Sequence, residues 1–250
     1  MKKYGLVGYP LEHSFSAKYF NDKFSREGVM DCGYVNYPLE NISLLRSLFL
    51  KDPCLAGVNV TIPYKIGVIE YLDSIDETAL ATGAVNVVKS YRKPAGLILK
   101  GFNTDVYGFK FSLPADIACQ RGKAIVLGTG GASLAVIHVL KKLGFELIMV
   151  SRTGKKGGIT YEELTGDQTG GATMIVNTTP LGMYPDVNRK PEIPYEYLQA
   201  HQLLYDLVYN PELTSFLKEG RKRGCRVMNG LRMLQIQADK SWDIWKDETV

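Results

Sequence analysis

Polar residues at the ends of apolar runs are the first sign of chemistry in this sequence of 250 residues. Ser14 and Ser16 precede a segment with helical periodicity. Two hydroxyl groups at a helix start can receive a carboxylate, because the free N–H groups there favour anions. The other role open to them is to cap that helix.

A second set of polar residues follows the apolar runs of the first hundred positions. The segment Asn59–Lys65 closes a predicted strand, and Pro63 favours a helix start just beyond it. Asn86 interrupts an otherwise apolar strand, where a polar side chain needs a partner. Asp105 stands at a change of sequence rhythm. Since strand ends gather ligand-binding groups in α/β proteins, these residues are candidates for one site.

A glycine-rich turn opens the second half of the chain. The run Lys123–Gly128 is typical of a buried strand, and helical periodicity follows the turn. Gly128 permits the tight turn, and Gly130 lets a pyrophosphate approach the backbone. Ser133 stands where a third glycine is usual, and its small side chain still allows close packing. Strand, turn, helix and a further strand in this order predict a dinucleotide site.

The end of the next strand indicates which dinucleotide binds. The run Phe145–Val150 leads into Ser151, Arg152 and Thr153, whereas a free ribose 2′-hydroxyl usually meets an Asp or Glu there. A guanidinium beside hydroxyl groups suits a 2′-phosphate. A solvated basic loop is the alternative interpretation. The sequence therefore favours NADP over NAD.

The elements that must position these residues alternate between strand and helix, which predicts an α/β fold. The predicted strands are Tyr4–Gly8, Tyr34–Pro38, Gly57–Thr61, Ala84–Ser90, Leu97–Phe102, Lys123–Gly128, Phe145–Val150, Thr173–Thr178, Gln202–Val208 and Cys225–Met228. The predicted helices are Ser14–Glu27, Ile42–Leu50, Val106–Phe111, Ala132–Leu143, Glu212–Arg223 and Leu231–Lys246. The glycine-rich segment 153–172 is predicted to hold at most one helical turn, at Tyr161–Leu164.

Composition and charge exclude several classes of protein. A hydrophobic share of 45% and a charged share of 22% are typical of a globular chain. The net charge of +4, from 30 basic and 26 acidic residues, is too small for a nucleic-acid surface. No run reaches the ~18 apolar residues of a membrane span, and a cytoplasmic location is expected. Four scattered cysteines and three histidines predict no metal site.

Seven motifs in a fixed order give the chain a family resemblance. They are Ser14-x-Ser16, Asn59-Val60-Thr61-x-Pro63-x-Lys65, Gly83–Asn86, Asn103–Asp105, Gly128–Ala132, Asn177–Met183 and, after Tyr209, Gly230-Leu231-x-Met233 with Gln237. Together they make the sequence similar to the shikimate dehydrogenase family over nearly its whole length. The departures from the family pattern are Ala17 for a usual Pro, Ser151 for a usual Asn, and a shorter segment after Thr153.

The resemblance implies a two-domain α/β fold. An N-terminal α/β substrate domain would comprise residues 1–103 and 231–250, and a Rossmann-type NADP-binding domain residues 104–230, with the C-terminal helix returning to the first domain. The implied activity is the reversible NADPH-dependent reduction of 3-dehydroshikimate to shikimate, on the route to chorismate and aromatic amino acids. The expected protein is a monomer or homodimer that binds neither nucleic acid nor membranes.

The resemblance also implies a role for each site residue. Lys65 and Asp105 would form the catalytic pair. The residues that would hold the substrate are Ser14, Ser16, Thr61, Asn86, Tyr209 and Gln237. The residues that would hold the cofactor are Gly128, Thr129, Gly130, Gly131, Ala132, Ser151, Arg152, Thr153, Thr178, Met183, Gly230 and Met233. The pair suits the chemistry in its own right, because a hydride delivered to a ketone leaves an alkoxide that needs a proton or cation nearby.

Two other functions stay open at this stage. A quinate/shikimate dehydrogenase that uses NAD is the nearer one, and the lack of an acidic residue after Val150 argues against it. A non-catalytic dinucleotide sensor would keep the glycine turn, but it would leave the presence of Lys65 and Asp105 beside a set of hydroxyl groups without explanation.

Overall fold

The computed structural model describes residues 1–11, 15–154 and 157–247. The chain forms two compact units, Met1–Tyr107 with Gln237–Val250 and Gly108–Ile236. These units end four to six residues from the predicted domain boundaries. Each unit has its own β-sheet, and the predicted α/β fold is confirmed.

The sheet of the first unit brings several strand ends to one edge. Its strands are β1 Lys2–Gly8, β2 Cys32–Pro38, β3 Leu55–Val60, β4 Ser74–Ile75, β5 Val87–Lys93 and β6 Gly96–Phe102, in the order β2-β1-β3-β5-β6-β4. Strand β1 pairs in parallel with β2 and β3, whereas β5 runs antiparallel to β3 and β6. Asn59 lies opposite Val87, which lies opposite Phe102. The segments that follow β3 and β6 therefore begin at the same edge of the sheet, on either side of the start of β5.

The sheet of the second unit is parallel throughout. Its strands are β7 Lys123–Leu127, β8 Glu146–Val150, β9 Met174–Asn177, β10 Leu203–Asp206 and β11 Arg226–Met228, in the order β11-β10-β9-β7-β8. This is a doubly wound, Rossmann-like arrangement, in which the chain leaves β7 towards one side and later returns to the other. The carboxyl end of β7 is therefore the switch point at which such sheets bind ligands.

The helices complete both units. They are α1 Ser16–Arg26, α2 Leu45–Lys51, α3 Glu77–Thr82, α4 Asp105–Ser112, α5 Ala115–Ala118, α6 Gly131–Lys142, α7 Gly166–Gly170, α8 Ser215–Lys222 and α9 Leu231–Lys246. Short 3₁₀ helices lie at Ile42–Leu44, Gly67–Tyr71 and Tyr195–Tyr197. Helix α9 has the predicted bounds, and its second half belongs to the first unit.

Aromatic packing fixes the second half of α9 within the first unit. The rings of Tyr4 and Trp245 stack with centroids 4.8 Å apart, and Trp242 meets Tyr4 edge to face at 5.4 Å. Phe20 of α1 joins the same buried cluster. Buried aromatic side chains contribute large apolar areas, so this packing determines where the polar residues of α9 lie.

Three local predictions are wrong. No helix starts at Pro63, because the segment forms turns and the Val85 N–H donates to the Lys65 carbonyl at 2.7 Å. The one helical turn after β8 lies at Gly166–Gly170 rather than at Tyr161–Leu164, since a capping box at its start stabilises the later position. The strand predicted from Ala84 begins only at Val87.

Candidate active site

The first unit holds an ion pair between Lys65 and Asp105. Lys65 lies in the turns after β3, and Asp105 is the first residue of α4. Lys65 Nζ is 2.6 Å from Asp105 Oδ2, with side-chain exposures of 14% and 1%. Because water screens a buried pair poorly, the carboxylate orients the ammonium strongly.

Asn86 connects this pair with α9. Its Nδ2, which carries two hydrogens, lies within hydrogen-bond distance of three acceptors, Asp105 Oδ1 at 3.1 Å, Gln237 Oε1 at 2.9 Å and Thr104 Oγ1 at 3.0 Å. Its Oδ1 accepts from the Thr104 N–H at 2.7 Å. The partner that the sequence required for Asn86 is thus present, and Lys65, Asn86, Asp105 and Gln237 form one polar cluster.

The remaining predicted substrate residues are distributed differently. Ser16 is the first residue of α1 and hydrogen-bonds to Tyr34, and the residue before it makes no side-chain cap. Thr61 directly follows β3 at the edge where the cluster lies. Ser14 lies outside the described residues. Tyr209 belongs to the second unit, three residues after the end of β10.

The glycine turn of the second unit leaves open space at a helix start. Gly128 has a φ of +107°, and a Cβ there would lie 2.7 Å from Thr178 Oγ1, so this position requires glycine. Gly130 has an extended backbone, and a Cβ there would meet nothing within 4 Å. Gly131 is the first residue of α6. A phosphate could therefore approach the N–H groups at this helix start closely.

Residues of the glycine turn and of the first turn of α6 support this arrangement. Ser133, at the position of the usual third glycine, is fully buried and donates from Oγ to the Gly130 carbonyl at 2.6 Å. Thr129 and Ala132 are half-buried beside it. The prediction that a small residue suffices at position 133 is confirmed, and its hydroxyl additionally stabilises the turn.

A buried polar side chain lies directly after the end of β8. Ser151 is 8% exposed, and its Oγ has no hydrogen-bond partner among the residues that the structure describes. Arg152 and Thr153 follow it with exposed side chains, while Lys155 and Lys156 lie outside the described residues. Buried polar atoms in native proteins are nearly always paired, so the Ser151 hydroxyl is suited to a ligand group at this strand end.

The other predicted cofactor residues follow β9 or lie at the start of α9. Thr178 Oγ1 donates to the Leu127 carbonyl at 2.7 Å, which places Thr178 against the end of β7. Met183 is 46% exposed. Gly230 donates to the Val208 carbonyl at 3.2 Å, and Met233 is buried within the protein.

A buried carboxylate in the second unit was not predicted from the sequence. Asp206 Oδ2 accepts from Thr214 Oγ1 at 2.6 Å, and Oδ1 accepts from Asn177 Nδ2 at 2.9 Å and from the Val208 N–H at 3.0 Å. Burial raises the pKa of Asp206 to about 7, although these donors oppose the shift. Asp206 thereby joins the end of β9 and the residues after β10 to the N-cap residue of α8.

Four further residues around the first cluster were also missed, namely Tyr34, Asn59, Thr104 and Ser241. Asn59 and Thr104 lie within the motifs Asn59–Lys65 and Asn103–Asp105, and this position is a sequence signal that could have identified them. Ser241 occupies an ordinary position in a helical pattern and carries no such signal.

Two features are absent from residues 1–11, 15–154 and 157–247. No helix in these ranges combines the length and apolarity that crossing a membrane requires. Within the same ranges, no three His, Cys, Asp or Glu side chains are grouped so that they could hold a metal ion.

Comparison with known proteins identifies the family. A family model for the shikimate dehydrogenase substrate binding domain matches residues 6–88. The shikimate dehydrogenase (NADP(+)) of Halothermothrix orenii is 39% identical over 269 residues, which cover 96% of this chain and 89% of that protein. The corresponding protein of Methanococcus vannielii is 37% identical over 261 residues, covering 96% and 90%.

A solved structure gives the same result. The crystal structure of shikimate 5-dehydrogenase from Thermus thermophilus, in complex with NADP(H) and shikimate, is 30% identical with a TM-score of 0.84 and covers 98% of this chain and 94% of its own. Sequence and fold therefore agree over almost the entire length, and the chain belongs to the shikimate dehydrogenase family.

Proposed function

We propose that this protein catalyses the reversible reduction of 3-dehydroshikimate to shikimate with NADPH, a step towards chorismate and the aromatic amino acids. The observation that carries the proposal is the Lys65–Asp105 pair, set among amide and hydroxyl groups in a chain that also has a nucleotide-type turn. The relatives named above are shikimate dehydrogenases (NADP(+)), and the Thermus thermophilus enzyme was crystallised with NADP(H) and shikimate.

In this proposal Lys65 is the proton carrier. When the ketone is reduced, charge develops on its oxygen, and the Lys65 ammonium stabilises that charge and donates a proton to it. In the reverse direction Lys65 Nζ takes the proton from the shikimate hydroxyl. Asp105 holds Nζ in place through the 2.6 Å contact and compensates its charge.

The substrate's other groups would be bound by hydrogen bonds. Ser14 and Ser16 would receive the carboxylate, with Tyr209 contributing to the same group. Thr61, Asn86 and Gln237 would bind the ring hydroxyls. Asn86 and Gln237 suit this role because their amide groups already lie beside the Lys65–Asp105 pair.

The residues of the second unit fit a bound NADP. The cofactor supplies the hydride and accepts it in reverse. The open space at Gly130 and the start of α6 would admit the pyrophosphate, with Thr129, Gly131 and Ala132 around it. The unpaired Ser151 hydroxyl would bind the adenosine side. Arg152 and Thr153 would bind the 2′-phosphate, and the nicotinamide would be bound by Thr178, Met183, Gly230 and Met233.

An absorbance assay of reduced nicotinamide tests the proposal. Purified protein is given shikimate or quinate, each with NADP and separately with NAD. We expect the highest kcat/KM with shikimate and NADP. Comparable turnover of quinate with NAD would instead indicate a quinate/shikimate dehydrogenase. Binding of shikimate and NADP without turnover would indicate a sensor.

A further inference from the structure

A chain of hydrogen bonds connects Ser16 with the Lys65–Asp105 pair in the first unit. Tyr34, which Ser16 contacts, donates from its phenol to Asn59 Oδ1 at 2.8 Å. Asn59 Nδ2 donates to Ser241 Oγ at 3.0 Å, and Ser241 Oγ lies 3.2 Å from the hydroxyl of Thr104, the residue before Asp105. Tyr34 and Ser241 are 2% and 0% exposed, whereas Ser16 and Asn59 are half-buried, so the chain is best shielded from water at Tyr34 and at Ser241.

The phenol hydrogen of Tyr34 determines which group donates and which accepts in each hydrogen bond of this chain. Burial raises the pKa of Tyr34 well above its ordinary value, so the phenol keeps its proton and acts as a donor. Asn59 therefore directs its oxygen to Tyr34 and its nitrogen to Ser241. The single hydroxyl hydrogen of Ser241 goes to the Gln237 carbonyl at 2.8 Å. Ser241 Oγ is thus the acceptor for Asn59, and towards Thr104 it can only accept.

Thr104 contacts Asn86 twice, once as a hydrogen-bond donor and once as an acceptor. Its backbone N–H donates to Asn86 Oδ1 at 2.7 Å, and its Oγ1 accepts from Asn86 Nδ2 at 3.0 Å. The hydroxyl hydrogen of Thr104 has two acceptors within reach, Ser241 Oγ at 3.2 Å and Asn86 Oδ1 at 3.3 Å. With either acceptor, a lone pair of Thr104 Oγ1 remains for Asn86 Nδ2. The amide of Asn86 is therefore held with its nitrogen towards Asp105.

We propose that Ser241 and Thr104 are positioning residues for the reaction, since they hold the Asn86 amide in the orientation that binds Asp105 Oδ1 and leaves Oδ2 for Lys65. Neither residue needs to contact the reacting atoms. The inference rests on the proposed function, because the group being positioned is the proposed catalytic pair. Ser241 reaches this pair only through other side chains, so its effect is separable from substrate contact.

Substitution of Ser241 tests the proposal. Ser241→Ala removes the acceptor for Asn59 and Thr104, and loss of one such hydrogen bond predicts a kcat for shikimate oxidation about fivefold to tenfold lower. The KM for NADP should not change. Ser241→Thr restores a hydroxyl and should recover most of the kcat. A Ser241→Ala protein in which both KM values rise together with a lower Tm would show a merely structural role and would overturn the proposal.

Ser112→Ala is a matched control. Ser112 is also a buried helical serine that donates to a backbone carbonyl, that of Phe109 at 2.8 Å, and its hydroxyl contacts Tyr205. It belongs to the second unit, and these hydrogen bonds go to residues outside the chain described above. Its removal should lower Tm by about as much as Ser241→Ala does and leave kcat unchanged. An equal fall of kcat in both variants would contradict the proposal.

Amide hydrogen exchange provides a readout that does not depend on activity. The Thr104 N–H is protected by Asn86 Oδ1, so it should exchange several-fold faster in Ser241→Ala than in the wild type, and at the wild-type rate in Ser112→Ala. A wild-type protein that fails to oxidise shikimate with NADP would contradict the proposed function, while the exchange result would still decide the positioning role. An unchanged exchange rate of the Thr104 N–H in Ser241→Ala would overturn the positioning role.

Discussion

Lys65 and Asp105, which are 40 residues apart in sequence, meet with Nζ 2.6 Å from Oδ2. The two side chains differ in accessibility, since Asp105 is almost wholly enclosed while part of Lys65 remains exposed. Both Asp105 oxygens are engaged, one by Lys65 and one by Asn86. Of the pair, Lys65 is therefore the member that can present a proton to a bound molecule.

Replacing the members of this pair should reduce turnover more than binding. For Lys65→Ala we expect kcat to fall about 10²–10⁴-fold, the usual size of a general acid–base contribution. The kcat of Asp105→Ala should fall by a similar factor. The double variant should lose far less kcat than the product of the two single losses, because the effects of residues that act as a unit are not additive. Steady-state kinetics at saturating shikimate and NADP measure all three.

Lys100→Ala is the control for these variants. Lys100 lies on β6 with Nζ 5.4 Å above the Phe102 ring, and kcat should not change when it is removed. Near-normal turnover of Lys65→Ala between pH 7 and pH 10 would contradict the assignment of Lys65 as the proton carrier.

Two glycines of the nucleotide turn should respond differently to the same methyl group. Gly130→Ala has room and an ordinary backbone conformation, so Tm should stay the same while the methyl obstructs the phosphate and raises the KM for NADP. Gly128→Ala has a positive φ and a close contact with Thr178, and should lose roughly 1–3 kcal/mol of stability. Thermal unfolding and NADP titration of both variants separate the effects. A normal KM for NADP in Gly130→Ala would contradict the phosphate site.

Arg152 should determine the preference for NADP. Arg152→Ala removes the guanidinium proposed for the 2′-phosphate, and loss of a charge-assisted hydrogen bond, worth ~1.5–3 kcal/mol, should raise the KM for NADP about tenfold or more. The KM for NAD should barely change. Arg189, exposed in the same unit, provides the control substitution to Ala. Better turnover of NAD than of NADP by the wild type would show that the assignment is wrong.

Asp206 should make stability depend on pH. Its pKa of about 7 in the folded protein lies above its ordinary value of 3.8, so the unfolded chain loses this proton first as the pH rises. The contribution of Asp206 to stability is therefore complete below the unfolded pKa and is lost as the pH rises through about 7. Between pH 5 and pH 8 the free energy of unfolding of the wild type should fall by roughly 2–3 kcal/mol, and that of Asp206→Asn should not show this fall.

Urea unfolding at the two pH values measures this difference. Asp73→Asn is the control, because the Leu99 N–H and then Arg46 lower the pKa of Asp73, and its proton change therefore falls below pH 5. The difference in free energy of unfolding between wild type and Asp73→Asn should be the same at both pH values. An equally constant difference for Asp206→Asn would mean that Asp206 does not titrate in this range.

Local sequence signals explain which parts of the molecule could be predicted. Asn86 in an apolar strand required a partner, and it has several in the structure. The glycine turn predicted the shape found at Gly128 and Gly130. Helix α3 was missed although Asp76 caps its start and Gly83, with a φ of +67°, ends it, which is a recognisable pattern. Helix α7 likewise had the capping box of Thr165 and Gln168.

Other features depend on contacts that no local pattern contains. Ser241 becomes important only because Trp242 and Trp245 pack α9 against the first sheet, which brings it to Asn59 across 182 residues of sequence. Asp206 resembles any strand-end carboxylate until Thr214 and Asn177 are found to enclose it. Tertiary packing decides both cases, and it lies beyond the range of propensity and periodicity.

The short segment after β8 has a consequence for self-association. Ile159 donates to the Met149 carbonyl at 2.9 Å and accepts from the Ser151 N–H at 3.0 Å, so it pairs with the outermost strand of the second sheet. Exposed N–H and C=O groups on an outer strand can recruit strands of other molecules and start aggregation. Through Ile159 this segment blocks that end of β8 to intermolecular strand addition.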